Sequence, residues 1–216
     1  MRLFVFIMAL LSFTHHSSGE ILWTSVKKFI PAGYDTLEGG YVTGDLNKDG
    51  KEDFVLALRS LEEEKNSFYE GERLMIVLLQ TPNGLKQVGN SKNVLMCKGC
   101  GGIFGDPWSG IQIEKGIIII DHYGGSAWRW SDTQKFRYQN DGMYLIGSTS
   151  DYYWNVSDCN GEGVGNAGRN YKDVNWVTGD EEVIKRKEDC TLVEHTKKKL
   201  KRKPLLKLEE YKQVDE

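Results

Sequence analysis

Ile111-Gln112-Ile113-Glu114-Lys115-Gly116-Ile117-Ile118-Ile119-Ile120 is the stretch whose reading decides the fold. Apolar side chains alternate up to Ile113, a Glu-Lys-Gly turn follows, and a run of isoleucines returns. β-branched residues are stiff at χ1 and suit a pleated surface. The segment reads as an antiparallel hairpin. Working outward, Trp128 to Gln139 forms the next strand, Asn140-Asp141-Gly142 is a turn, and Met143 to Ser148 pairs back. Upstream, Leu74 to Gln80 is a buried strand closed by Thr81-Pro82-Asn83-Gly84, and Leu85 to Met96 contains another. Ile21 to Phe29 is expected as a first strand, ended by Pro31-Ala32-Gly33. Leu61 to Arg73 reads as an exposed connection, and Asp151 to Asn175 as long loops without period. The expectation is a mostly β protein: a small antiparallel sheet or sandwich, or a partial propeller-like meander, with long Gly- and aromatic-rich loops.

Composition agrees with this class. Aromatics make up 11%, there are 24 glycines, and the four prolines are few. Residues 1–19 read as a secretory signal peptide: Arg2 supplies the charge, Leu3 to Phe13 the short apolar core, and Ser17-Ser18-Gly19 the small residues. That core is shorter than the ~20 residues needed to span a bilayer, and no later segment is apolar enough. The expected organisation is a signal peptide over 1–19, a β domain over 20–196, and a basic tail over 197–216 in which Pro204 to Leu208 forms an edge strand. The formal charge of −3 argues against a dedicated nucleic-acid binder. The expected location is secreted or periplasmic.

A second stretch, Gly44-Asp45-Leu46-Asn47-Lys48-Asp49-Gly50-Lys51-Glu52-Asp53, carries the chemistry. Oxygen side chains fall at loop positions one, three, five and nine, and Gly50 stands at six, where a tight loop must turn. Ca²⁺ takes six to eight oxygens, and alternation aims successive side chains at one centre. An EF-hand is excluded, because position twelve holds Leu56 where a bidentate Glu belongs, and strands flank the loop. A strand–loop–strand unit of this kind resembles the calcium loops of FG-GAP and VCBS repeats, over roughly residues 40 to 59. The resemblance implies Asp45, Asn47, Asp49, Lys51 and Asp53 as calcium ligands. A single copy does not make a propeller, which needs at least four blades. A composite from Cys97 to Gly147, including Gly105-Asp106-Pro107 and His122-Tyr123-Gly124-Gly125, is similar to a group of small uncharacterised secreted bacterial proteins, and that resemblance brings no activity with it.

Four cysteines in an exported chain suggest two disulfides. Three pairings are open. Adjacency favours Cys97 with Cys100, which leaves Cys159 for Cys190. A redox role for Cys97-Lys98-Gly99-Cys100 would need Cys97 at a helix N-terminus, whereas Gly101-Gly102 follows. Zinc is disfavoured, since only His122 and His195 lie outside the signal segment.

Three further groups bear on function. Trp108, Tyr123, Trp128, Trp130 and Trp154 are candidates for a surface that binds protein or glycan, with Trp128 and Trp130 on one strand face. The competing role for these rings is to fill the core. Asp106, Asp121 and His122 are the residues a small envelope hydrolase would use, although no Gly-x-Ser-x-Gly nucleophile elbow accompanies them. Lys197-Lys198-Lys199 and Lys201-Arg202-Lys203 form a basic run suited to weak contact with an anionic surface. The reading that unites these features is an exported, calcium-stabilised, disulfide-bonded β domain that binds a partner, in the manner of an inhibitor, an immunity protein or a surface-binding module. Catalysis is the alternative.

Overall fold

A computed structural model describes residues 18–66, 68–156, 159 and 167–213. The chain is mostly β, in two antiparallel sheets. The first holds β1 (Tyr34–Gly44), β2 (Asp53–Ser60), β3 (Leu74–Thr81) and β4 (Gly84–Ser91) in sequence order. The second holds β5 (Trp108–Glu114), β6 (Ile117–Gly125), β7 (Trp128–Gln139), β8 (Gly142–Trp154), β9 (Ala167–Asn175), β10 (Asp180–Arg186) and β11 (Leu192–Lys199), again as a meander. The hairpin predicted at Ile111–Ile120 is β5–β6, with Glu114 paired to Ile117.

The core lies between the sheets. Val55, Ala57, Met75, Val77 and Leu79 of the first sheet meet Ile111, Ile118, Ile120, Phe136, Met143 and Leu145 of the second. At one edge Gly44 of β1 lies against Ile113 of β5, where a Cβ would come within 2.7 Å of the isoleucine. Phe54, Leu56, Leu58, Ile76 and Leu78 point the other way and need a second cover. That cover is a helix, α1 (Ser18–Val26), continued by a 3₁₀ turn at Lys27–Phe29. The strand expected over Ile21–Phe29 is therefore wrong. Leu22, Trp23, Val26, Phe29 and Ile30 fall at helical spacing, and together they pack on the apolar back of β2 and β3. Trp23 meets Tyr41 edge-on, with centroids 4.9 Å apart. The signal segment predicted over 1–19 lies outside the described residues, apart from Ser18 and Gly19, which open α1.

Three other expectations change. Asp151–Asn175 is not a run of loops: β8 continues to Trp154, and β9 begins at Ala167. Here the second sheet extends beyond the first, so neither face alternates in polarity. Pro204–Leu208 is not an edge strand. It follows an irregular path with a single bridge, Lys207 to Tyr144, and ends in a 3₁₀ turn at Leu208–Glu210. Leu208 is buried in the intersheet core, and Tyr211 meets Phe136 edge-on. Burial, with Asp132 adding to it, pushes the Tyr211 phenol up to about 12. Nor does a free tail start at residue 197, since Lys197–Lys199 belong to β11.

Candidate functional site

The loop from Gly44 to Asp53 joins β1 to β2 and is anchored from below by Leu46, which is buried in the core. Its backbone is tight, with Lys48 at φ 65° and Gly50 at φ 81°. Both values are left-handed, a region that Gly50 enters without steric cost. The Asp45 carboxylate accepts the N–H groups of Asp49 (3.1 Å) and Gly50 (2.9 Å). Asn47 Oδ1 accepts Asp49 N–H at 3.0 Å, and Asp49 Oδ1 accepts Lys51 N–H at 2.9 Å. This last bond holds the Asp49 carboxyl below its ordinary range. Asp45, Asn47 and Asp49 thus gather their oxygens around one turn.

Asp53 behaves differently. It is completely buried, and its two oxygens accept Leu46 N–H (2.8 Å) and Gln80 N–H (2.9 Å). It clamps the loop to the adjacent end of β3. Burial raises its pKa, against the pull of these hydrogen bonds. Among the described residues no three His, Cys, Asp or Glu side chains are gathered as a metal cage. The loop brings together side-chain oxygens of Asp45, Asn47 and Asp49, with Asp53 fixing the frame and Lys51 Nζ 3.7 Å from Asp49 Oδ2. Each carboxylate oxygen that accepts one N–H keeps a second lone pair for an ion. The donor set is all oxygen, which suits a hard cation.

The two disulfides join Cys97 to Cys100 and Cys159 to Cys190. Cys97 is buried and precedes a four-residue 3₁₀ turn, Lys98–Gly101, without a capping hydrogen bond.

Beside this turn lies a network that the sequence did not announce. Arg73, immediately before β3, is completely buried and makes paired hydrogen bonds to two carboxylates. Glu63 accepts at 3.0 and 2.9 Å, and Asp106 at 2.8 and 2.6 Å. Burial disfavours the guanidinium charge, but Asp106 and Glu63 more than offset it and raise the Arg73 pKa. Burial likewise works against the Asp106 anion, and Arg73 nonetheless holds its pKa low. The segment Leu61–Arg73, read as an exposed connection, turns inward at both Glu63 and Arg73 because each satisfies the other.

The three candidate catalytic residues are not assembled into one site. Asp106 is engaged by Arg73. Asp121 and His122 are consecutive on β6 and so point to opposite faces. Asp121 accepts the Thr133 hydroxyl at 2.5 Å. His122 is buried on the core side, where its Nε2 accepts Met96 N–H at 3.2 Å. That bond leaves the imidazole proton on Nδ1, which is buried without a hydrogen-bond acceptor. Burial, aided by the Arg73 charge, pushes the His122 pKa down to about 4. An open depression of about 550 Å³ is lined by Trp128, Gly168, Arg186, Lys187, Glu188 and Asp189, and none of the three candidates reaches it.

The five aromatic candidates separate. Trp108 packs against the core and donates its indole N–H to the Glu38 carbonyl at 2.9 Å. Trp128 and Trp130 share a face of β7, as alternation requires. There Trp128 stacks on Tyr152, with centroids 5.0 Å apart, and meets Trp154 edge-on at the same distance. Tyr123 stands on the opposite face beside Phe104, centroids 6.1 Å apart. Its hydrogen bond to Tyr153 adds to burial in pushing the Tyr153 phenol up to about 12.

Half of the basic run is neutralised within the fold. Lys197, Lys198 and Lys199 on β11 face Glu182, Glu181 and Asp180 on β10, at 3.2, 2.7 and 2.9 Å. Lys201, Arg202 and Lys203 remain exposed.

No helix of the described residues is long and apolar enough to cross a membrane. No family model matches the chain, and no curated protein matches it. The chain is similar to a solved structure described as that of a Xanthomonas type IV secretion system related protein, with a TM-score of 0.31 and 13% identity. The similarity covers 79% of this chain and 63% of the other, so the chain spans less than two thirds of that protein's length.

Proposed function

We propose that this chain is an exported β domain, stabilised by calcium and two disulfides, that acts by binding a protein or glycan partner and performs no catalysis of its own. An inhibitor, an immunity protein or a surface-binding module would fit this description. The observation that carries the calcium reading is the turn in which Asp45, Asn47 and Asp49 converge on the amides of residues 49–51. Calcium bound there would neutralise Asp45 and Asp49 and fix the β1–β2 connection over Leu46. FG-GAP and VCBS loops use the same residue pattern, which supports assigning Asp45, Asn47, Asp49, Lys51 and Asp53 to the site, with Asp53 as the buried clamp. Any contact with an anionic surface falls to Lys201, Arg202 and Lys203, since Lys197–Lys199 are already paired.

Calorimetric titration of chelator-stripped protein tests the reading. A binding isotherm that is lost in Asp49→Asn is expected. Calcium at a hundred times its Kd should stabilise the fold by about 2.7 kcal/mol, a rise of roughly 5–11 °C in Tm for a domain of this size. No heat and no thermal shift at millimolar calcium would remove the ion from the account.

A further inference from the structure

We propose that the turn Gly101–Gly105 is a docking plug for another protein, one that offers an apolar pocket to Ile103 and Phe104 and a carboxylate to Arg129. This rests on the reading of the chain as a binding domain and names the surface that does the binding.

Ile103 and Phe104 lie at the tip of the turn and are 82% and 48% exposed. Phe68, 77% exposed, has its backbone against Gly99 of the adjoining 3₁₀ turn, and Tyr123, 38% exposed, stands beside Phe104. Large apolar side chains scattered singly are ordinary on a surface, whereas a contiguous group marks a contact site.

The tip is held rigid. The Cys97–Cys100 disulfide closes its base. Gly101 N–H donates to the Gly105 carbonyl at 2.7 Å, and Gly105 N–H to the Gly102 carbonyl at 3.0 Å. Gly102 also bridges to Gly125 at the end of β6. Lys98 Nζ ties the 3₁₀ turn to the Glu63 carbonyl at 2.7 Å. A segment already ordered in its bound shape loses little entropy when a partner closes over it.

Arg129 specifies the partner's chemistry. Its guanidinium lies 3.8 Å over the Phe104 ring centroid. Nε and Nη1 are covered and have no acceptor. The nearest acid on the neighbouring strand, Asp151, is engaged by Arg169 at 2.8 and 2.7 Å, and among the described residues no carboxylate forms an ion pair with Arg129. An uncompensated cation behind an apolar tip favours a carboxylate, which a charge-assisted hydrogen bond to the guanidinium would hold. A protein surface supplies both an apolar pocket and a fixed carboxylate. An anionic bilayer fits less well, because its headgroups are mobile and offer no fixed carboxylate to a guanidinium that lies behind the tip.

The experiment pans a random-peptide phage library on the immobilised full chain. Selected peptides are expected to place Asp or Glu beside aromatic or aliphatic residues. Their affinity should fall on the order of tenfold or more with Ile103→Ser, Phe104→Ser or Arg129→Gln, and Arg129→Lys should recover part of it. Ile103 is mostly solvated, so Ile103→Ser keeps the fold, which circular dichroism and the melting curve verify. Peptides without acidic bias, no selected peptides, or binding unchanged in Ile103→Ser would overturn the proposal. So would phosphatidylglycerol vesicles that bind the wild type and not Ile103→Ser, since the tip would then be a membrane contact. Calcium titration is independent: a chain that ignores calcium yet selects acidic, apolar peptides would lose the calcium reading and keep the plug.

Discussion

Acid should weaken this fold through one histidine before its carboxylates begin to titrate. His122 has its pKa pushed down to about 4 by burial and by Arg73, against an ordinary value of 6.5. The unfolded chain therefore takes a proton at this residue near pH 6.5, while the folded protein refuses it until about pH 4. The stability this provides is complete above pH 6.5 and is lost as pH falls toward 4. The difference corresponds to a stability on the order of 3 kcal/mol, with a limiting slope of about 1.4 kcal/mol per pH unit. Other groups act in different ranges or directions. Asp106 and Asp49, with lowered pKa values, cost stability only below the normal carboxylate range. Asp53, whose pKa is raised, gains a proton more readily in the folded state and so opposes the loss. Urea unfolding at half-unit steps from pH 7.5 to 4.5 measures the slope, with His122→Gln as the comparison. The variant starts from a different stability, so the slopes and not the intercepts are compared. An equal slope in the variant, or a flat wild-type profile, would refute the assignment.

Two further perturbations test the packing. Arg73→Met leaves the buried Glu63 carboxylate without its partner, and breaking a buried pair in this way costs about 3–5 kcal/mol. Chemical denaturation should show it, with a double replacement of Arg73 and Glu63 by apolar residues recovering much of the loss. Removing the Cys159–Cys190 bridge, which spans 31 residues, should cost about 3–4 kcal/mol by loop-closure entropy, against about 1.5 kcal/mol for the three-residue Cys97–Cys100 bridge. Unfolding of the paired Cys→Ser variants ranks the two.

The sheets were legible wherever apolar periodicity met a clear turn. Ile111–Ile120 and Leu74–Gln80 gave strands because β-branched runs of that length have few other uses. Asn140-Asp141-Gly142 gave the β7–β8 turn through its tolerance of positive φ, which Asn140 and Asp141 both adopt. The helix over Ser18–Val26 was missed because a short apolar run reads equally as a strand until the face it must cover is known. The far half of the second sheet was missed because Ser148–Asp151 and Asn170–Asp173 are polar on both faces. In the loop, spacing identified Asp45, Asn47 and Asp49 as one group, while the turning of Asp53 onto the Leu46 and Gln80 amides depends on where β3 ends. Arg73 and Glu63 could not be singled out, since a charged residue reads as solvated until its partner is located in space. Ile103 and Phe104 carry one signal in the sequence, two large apolar residues inside a glycine-rich turn.

The seat of Leu208 between the sheets has a consequence for how the protein comes into being. Leu208 and Tyr211 close a core whose other walls, near Gly89, Phe136 and Met143, are synthesised more than sixty residues earlier. Until that segment arrives, Met143 and its neighbours have no lid, and a nascent or truncated chain presents an open apolar cleft to any protease or chaperone it meets. Closure of this core therefore waits on a short 3₁₀ turn that is translated after both of the sheets it seals.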